Sequence, residues 1–309
     1  MHEHLVKWFT PSQGLPVSGR SSVQYREYSP SPSLRPHIAC YWSVTTRAED
    51  DTGEFDDILV IPDGCFDFVF TVSRHRTVSG HLSGVMESAF TIYPGPDTAW
   101  FGVRFRPGGA VPFLRSPLSL YRGGSSPSLT ELFGDGALRL LDRLADAEDL
   151  PTRIRVLDAA LQQRLSVSPD EPFDPLVANV LHEMYRHSGN VRIHELAARE
   201  AVSPRQLLRR FEMWTGCSPK QFCRVVRFQR AVDLIAKSTG QIQGADLAYQ
   251  CGYADQAHFV RDFRALAGMS PGHYIRRASM SDLFNTDRSF PAYHRIETSE
   301  EAEFANETG

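Results

Sequence analysis

Residues 191–216 read VRIHELAAREAVSPRQLLRRFEMWTG, and residues 242–268 read IQGADLAYQCGYADQAHFVRDFRALAG. Both stretches follow one plan. In the first, Ile193, Leu196 and Ala197 mark one apolar stripe of a short helix, and the small Ala197 lets a neighbouring helix approach closely. Ala201 and Val202 form a turn. Ser203 is a good N-cap, Pro204 suits the first helical position, and Gln206 stands three residues after the cap, so a second helix starts here. Leu207, Phe211 and Trp214 face inward at i, i+4 and i+7, leaving Arg205, Leu208, Arg209 and Glu212 outward. In the second stretch, Ala245, Leu247 and Ala248 build the first helix. Gly252 makes the turn, where a positive φ is cheap only for glycine. Asp255 caps the next helix, which turns Phe259, Phe263 and Leu266 inward and Gln256, Ala257, His258 and Arg261 outward.

Each second helix ends in glycine followed by Ser-Pro, at Gly216/Ser218-Pro219 and at Gly268/Ser270-Pro271, a pairing that stops a helix. Between the copies, 219–237 reads as one longer helix with Phe222, Val226, Ala231 and Leu234 or Ile235 inward, which would fix the separation of the two units. Two short helices around a tight turn, the second opening on exposed basic residues, is the helix-turn-helix layout, and it occurs twice.

That layout predicts a nucleic-acid face. An α-helix fits the major groove, arginine pairs bidentately with guanine, and glutamine pairs with adenine. Arg205, Arg209, Gln256 and Arg261 suit base edges. Ser203, Arg210, Lys220, Arg224 and Arg227, together with the helix N-termini, suit phosphates, which position a protein without reading sequence. His258 faces outward but is equally placed to hydrogen-bond to the first helix of its unit. Charge agrees: residues 173–278 hold 15 Lys+Arg against 9 Asp+Glu, while the rest of a chain with totals of 33 and 37 keeps 18 and 28. A basic module inside an acidic chain points to a polyanion partner for that module alone.

The segments S-P-R-Q-L-L-R-R-F at 203–211 and G-Y-A-D-Q-A-H-F-V-R-D-F-R at 252–264, followed by G-M-S-P, resemble the AraC/XylS family of bacterial transcription regulators over about 100 residues. The resemblance implies an all-helical domain that sets two recognition helices in successive major grooves on one face of operator DNA. It puts Arg205, Arg209, Gln256, His258 and Arg261 at base-contacting positions. Two departures stand out. Leu208 replaces a residue that is commonly polar, and Arg210 stands where an apolar residue is frequent. The partners implied are double-stranded DNA and RNA polymerase; a small-molecule effector of unknown identity and a homodimer stay open.

The front half reads differently. Stretches at 38–44, 58–61, 66–72, 89–93 and 100–105 are short and rich in β-branched and aromatic residues, and turn formers such as Pro62-Asp63-Gly64 bound them. A small barrel or sandwich is expected. Leu138, Leu141 and Leu144, then Ile154, Leu157, Leu161 and Leu165 after Pro151, predict two helices whose stripes pack on the β-domain, a dimerisation helix being the alternative. The fold expected is therefore α+β in two domains: a poorly ordered start at 1–22, a β-rich sensing or dimerisation domain with trailing helices at 23–165, a linker at 166–175, an all-α DNA-binding domain at 176–277, and an acidic tail at 278–309 with seven acids and two arginines.

The turn at 62–67 and the segment 100–109 resemble those in a subset of such regulators whose front domain has no general assigned ligand. Asp63, Asp67, His81, Trp100 and Arg104, with Arg106, are the candidates for an effector pocket, the alternative being turn-capping aspartates and a core tryptophan. Enzyme chemistry is not expected. His37, His75 and His81 form no metal-ligand spacing, and G-x-S-x-G, P-loop and G-x-G-x-x-G motifs are absent from the sequence. No cofactor or metal is expected. Five widely spaced cysteines, no long apolar run and no signal pattern at the start fit a cytoplasmic protein.

Overall fold

The computed structural model describes residues 23–46, 57–93, 99–121, 126–167, 173–238, 242 and 244–280. The start at 1–22, residues 168–172 of the expected linker and residues 281–309 of the expected acidic tail lie outside the described residues.

Alternation of period two organises the front half. Strands β1 (Val23–Tyr28), β2 (Ile38–Thr46), β4 (Phe66–Val72), β5 (Val78–Ser83) and β7 (Ala99–Phe105) form one antiparallel sheet in the order β1-β2-β7-β4-β5. On one face, Tyr41, Phe66, Phe68, Phe70, Phe101, Val103 and Phe105 are buried, and Phe70 stacks on Phe101 with centroids 5.0 Å apart. This face is covered by helices α1 (Val111–Leu114), α2 (Leu129–Phe133), α3 (Asp135–Asp146) and α4 (Leu150–Ser166). Leu144, Ile154, Leu157 and Leu161 pack there, each buried side chain stabilising the fold by about 1.5–3 kcal/mol. The leucine stripes thus lie on the sheet, with only Leu138 among their described members left exposed at 51%. Pro151 falls in the first turn of α4 behind the N-cap Asp149, where a missing N–H costs nothing.

The opposite face carries Cys40, Trp42, Val44, Val69 and Trp100. Trp42 packs against Gly102, where a Cβ would come within 2.5 Å of the indole. Across this face runs a separate two-stranded ribbon, β3 (Ile58–Val60) with β6 (Phe90–Ile92). Of the two expected β architectures, the closed barrel does not form. The outer edge of β5 bonds instead to the segment entering α2, through Leu82 N–H to the Pro127 carbonyl at 2.9 Å and a bridge of His81 with Ser128, so it is covered and does not meet β1. Strands β1 and β5 are additions to the five stretches anticipated from sequence.

The second half is helical: α5 (Pro175–Arg186), α6 (Ile193–Arg199), α7 (Pro204–Thr215), α8 (Pro219–Lys237), α9 (Gly244–Gln250), α10 (Gln256–Ala267) and α11 (Pro271–Met280). One core gathers α5, α6, α7 and the start of α8 around Phe211 and Phe222. Another gathers the rest of α8 with α9, α10 and α11 around Phe228, Phe259 and Phe263. Helix α8 serves both. None of the described helices is long and apolar enough to cross a membrane.

Candidate nucleic-acid interface and a cavity

The first unit is α6-turn-α7. The turn closes at Ala201, held at φ +52, and Ser203 caps α7 in a reciprocal box: its hydroxyl accepts from Gln206 N–H at 3.2 Å, while Gln206 Oε1 accepts from Ser203 N–H at 2.9 Å. Leu207, Phe211 and Trp214 are buried, and Arg205 and Arg209 are exposed. The second unit is α9-turn-α10, with Gly252 at φ +71 and Asp255 Oδ1 accepting from His258 N–H at 2.7 Å. Phe259, Phe263 and Leu266 are buried, and Gln256 and Arg261 are exposed. Ala245, expected to face inward, is exposed; Leu247 and Ala248 alone of that trio enter the core. His258 is half-buried, its ring edge-on to Tyr253 at 5.2 Å and its Nε2 3.9 Å from Asp262.

The residues expected at phosphates divide. Ser203 and Lys220 are exposed. Arg210 grips Asp174, the N-cap of α5, through Nε at 2.7 Å and Nη2 at 2.5 Å. Arg224 Nε donates to Asp262 at 2.9 Å, and Arg227 reaches the Gly189 carbonyl at 3.1 Å and lies over the Tyr253 ring. These three guanidiniums join helices: α7 to α5, α8 to α10, and α8 to the chain after α5. The two acceptors, Asp174 and Asp262, are buried and were not singled out from sequence. Asp174 carries a legible signal, an aspartate directly before a helix-opening proline. Asp262 shows only its i+4 spacing from His258.

A cavity of about 260 Å³ lies between the five-stranded sheet and the β3–β6 ribbon. Asp63, Asp67, His81, Trp100 and Arg104 all line it, along with Tyr25, Trp42, Ile58 and Phe90. Arg106 lies outside, donating to the Arg35 carbonyl at 2.9 Å. At one end Arg104 is buried between two carboxylates, with Nε 3.1 Å from Asp63 Oδ2 and Nη2 3.0 Å from Asp67 Oδ2. Trp42 Nε1 also donates to Asp67 at 2.9 Å. Burial pushes the Asp67 carboxyl up to about 6, against the pull of Arg104. Burial also opposes the Arg104 charge, but Asp67 and Asp63 override it and hold that pKa above its ordinary value. Burial lowers the His81 pKa, which favours the neutral ring. Trp42 and Tyr25 escaped sequence reading because their facing depends on strand pairing, here Trp42 opposite Gly102.

The ribbon has a second neighbour. Leu59 and Ile61 enter the core of the second unit beside Val225, Phe228 and Val232. Ala89 N–H donates to the Leu266 carbonyl at 2.7 Å, and Gln229 Nε2 to the Pro62 carbonyl at 2.6 Å. At the first unit, Gly216 closes α7 in the left-handed region against Phe66. The front domain therefore touches both second helices at their C-terminal ends and leaves their N-terminal ends open.

Residues 196–277 match the profile of a helix-turn-helix domain, and residues 26–126 match a domain of unknown function (DUF6597). Among curated relatives, the HTH-type transcriptional activator RhaS of Klebsiella pneumoniae (strain 342) is 34% identical over 77 residues, 25% of this chain and 27% of that protein. The RhaS of Escherichia fergusonii is 28% identical over 138 residues, 42% of this chain and 49% of that protein. The chain thus spans about half, or less, of these relatives. Among solved structures, a probable AraC family transcriptional regulator from Rhodopseudomonas palustris CGA009 is 28% identical, covering 34% of this chain and 98% of that one at a TM-score of 0.30. ToxT from Vibrio cholerae O395 is 12% identical, covering 84% and 99% at 0.38. The C-terminal third is an AraC-type helix-turn-helix domain.

Proposed function

We propose, for a chain whose C-terminal third is an AraC-type helix-turn-helix domain, that it is a sequence-specific DNA-binding transcriptional regulator acting in the cytoplasm. In this reading α7 and α10 enter successive major grooves. Arg205, Arg209, Gln256 and Arg261 read base edges, with His258 beside them. Ser203, Lys220 and the N-termini of α7 and α10 hold phosphates. Arg210 braces the first unit against α5, and Arg224 and Arg227 keep the two units in register. The observation that carries the reading is duplicated polarity: in each unit the N-terminal half of the second helix offers exposed arginine or glutamine, while its other face is buried and its C-terminal end touches the front domain.

Regulation calls for RNA polymerase as a further partner, and the cavity behind the ribbon is the place for an effector. Two recognition helices per chain already span two grooves, so this reading does not require a homodimer. Selection of binding sites from random duplex DNA by the full chain tests it. The expected result is an enriched motif with two elements about one helical turn apart, and affinity that falls steeply with salt. Recovery of no motif, with affinity flat across salt, overturns it.

A further inference from the structure

The cavity between the sheet and the β3–β6 ribbon has one chemistry along its walls and another at its end. Trp42, Trp100, Tyr25 and Phe90 line it, with aliphatic side chains between them. Such rings suit an apolar guest, and their faces also attract a cation. At the polar end Asp63 and Asp67 flank Arg104. A third carboxylate stands on the same sheet face: Glu27 pairs with Trp42 in the register of β1 on β2 and accepts from the Tyr25 hydroxyl at 2.6 Å. Among the described residues, Arg104 and His81 are the only bases that line the cavity, and burial lowers the His81 pKa. Three carboxylates thus stand against one guanidinium.

Arg104 does not cancel this surplus at the cavity surface. Its Nε and Nη2 are committed to the carboxylates, and its Nη1 is sealed inside the protein. The Asp67 side chain keeps 11% of its surface accessible, against 6% for Asp63 and Arg104. A carboxylate offers about four acceptor sites across its two oxygens. Among the described residues, Asp67 accepts from Arg104 and Trp42, while Asp63 accepts from the Cys65 N–H at 2.9 Å and pairs with Arg104. Both therefore keep sites for a further donor. Burial also outweighs the pull of Arg104 on Asp67 and pushes its carboxyl up to about 6, so the site is short of positive charge.

Three kinds of guest respond differently to that shortage. An anion is repelled. A neutral donor fits the open acceptor sites and leaves the surplus charge uncompensated. A protonated amine supplies the donor and the missing charge together, and its hydrogen bonds to carboxylate oxygens are of the strong, charge-assisted kind.

We infer that this cavity binds a small organic ammonium, its protonated amine set against Asp67 and Asp63 and its apolar remainder, one or two rings in size, packed among the aromatic walls. The inference rests on reading the cavity as the effector site and adds the class of ligand.

The test uses four probes of one shape on the full chain at pH 7.5: 1-aminoindane, 1-indanol, indane and indane-1-carboxylate. Binding is read by quenching of tryptophan fluorescence and by the shift in Tm. The amine is expected to bind roughly tenfold tighter than 1-indanol and indane, with the carboxylate weakest. Asp67→Asn should remove that advantage and leave the affinity for indane unchanged. Glu27→Gln, a change at a half-buried position, should reduce the advantage several-fold and serves where Asp67→Asn fails to fold. Val69→Trp, which fills the cavity from β4, should abolish binding of the amine; binding that survives it overturns the placement. An amine no tighter than 1-indanol, or a carboxylate that binds tightest, overturns the ammonium class and leaves the cavity a ligand site. An amine advantage untouched by both carboxylate variants overturns the role of these acids. Failure of all four probes to bind overturns the inference together with the reading of the cavity as an effector site. DNA binding is measured separately and stands or falls on its own.

Discussion

The backbone N–H of Ala89 donates to the carbonyl of Leu266 at 2.7 Å. Leu266 lies in the last turn of α10, where carbonyls have no partner within the helix. A residue of the front domain thus satisfies one of the orphan carbonyls at the end of α10. The opposite end of that helix, where Asp255 caps and Gln256 begins, stays exposed.

Arg205→Ala and Arg261→Ala are each expected to weaken specific binding by roughly 1–3 kcal/mol and to relax preference at one base position. Their exposure early in α7 and α10 motivates this. Titration against the selected operator and its single-base variants provides the check. Discrimination retained at every position would remove both residues from the reading surface.

The basic residues should separate into two groups. Lys220→Ala is expected to lower the salt slope of DNA binding by about 1 and leave Tm unchanged, as for a phosphate contact. Arg210→Ala strands the buried Asp174 and should cost roughly 1–3 kcal/mol of stability. Its salt slope should stay at the wild-type value. The reverse pattern would return Arg210 to the phosphate contacts.

Two helix-ending glycines provide a matched comparison. Gly268 has φ +70 and open space around it, so Gly268→Ala should cost only the left-handed conformation, roughly 1–2 kcal/mol. Gly216 has φ +76, and a Cβ there would come within 2.7 Å of the Phe66 ring across the domain boundary. Gly216→Ala should therefore cost roughly 1–3 kcal/mol more, by overpacking. Denaturant unfolding of both variants measures the difference. Equal losses would mean that the contact between Phe66 and Gly216 is slack.

Asp67 sets a pH dependence. Its folded-state pKa is raised, to about 6 from an ordinary value of 3.8, so between these values the folded chain binds more protons than the unfolded one. Stability from this group then rises as pH falls from 7 toward 4, and the gain is complete below the unfolded value. In Asp67→Asn that dependence disappears. The Tm of wild type minus that of the variant should increase on acidification from pH 7 to 5. A constant or shrinking difference would show that the Arg104 pair keeps Asp67 ionised throughout.

The helical third is legible in sequence because its signals are local. Ser203 and Gln206, Asp255, Gly216 and Gly268 each act within four residues of their position in the chain, and helices α7 and α8 take the bounds those signals mark. The sheet is less legible. Strand β5, VSGHLS, carries a glycine and two serines and holds its place by pairing with β4 along its length. Strand β1 is an edge strand fixed by β2. Asp63, Asp67, His81, Trp100 and Arg104 stood out by residue type, but their convergence on one cavity follows from the strand order and could not be read from spacing. Ala245 departs from its expected inward facing because α9, about two turns long, offers too few apolar residues to define a face.

The ribbon of β3 and β6 is at once a wall of the cavity and part of the core of the second helix-turn-helix unit, Leu59 belonging to both. Thermodynamic reciprocity follows from such shared material. If a guest tightens operator binding by some factor through the ribbon, operator DNA must tighten the hold on that guest by the same factor. The effect of duplex DNA on the affinity of a guest is then as direct a readout of communication as the effect of that guest on DNA binding. Either experiment alone fixes the sign of the other.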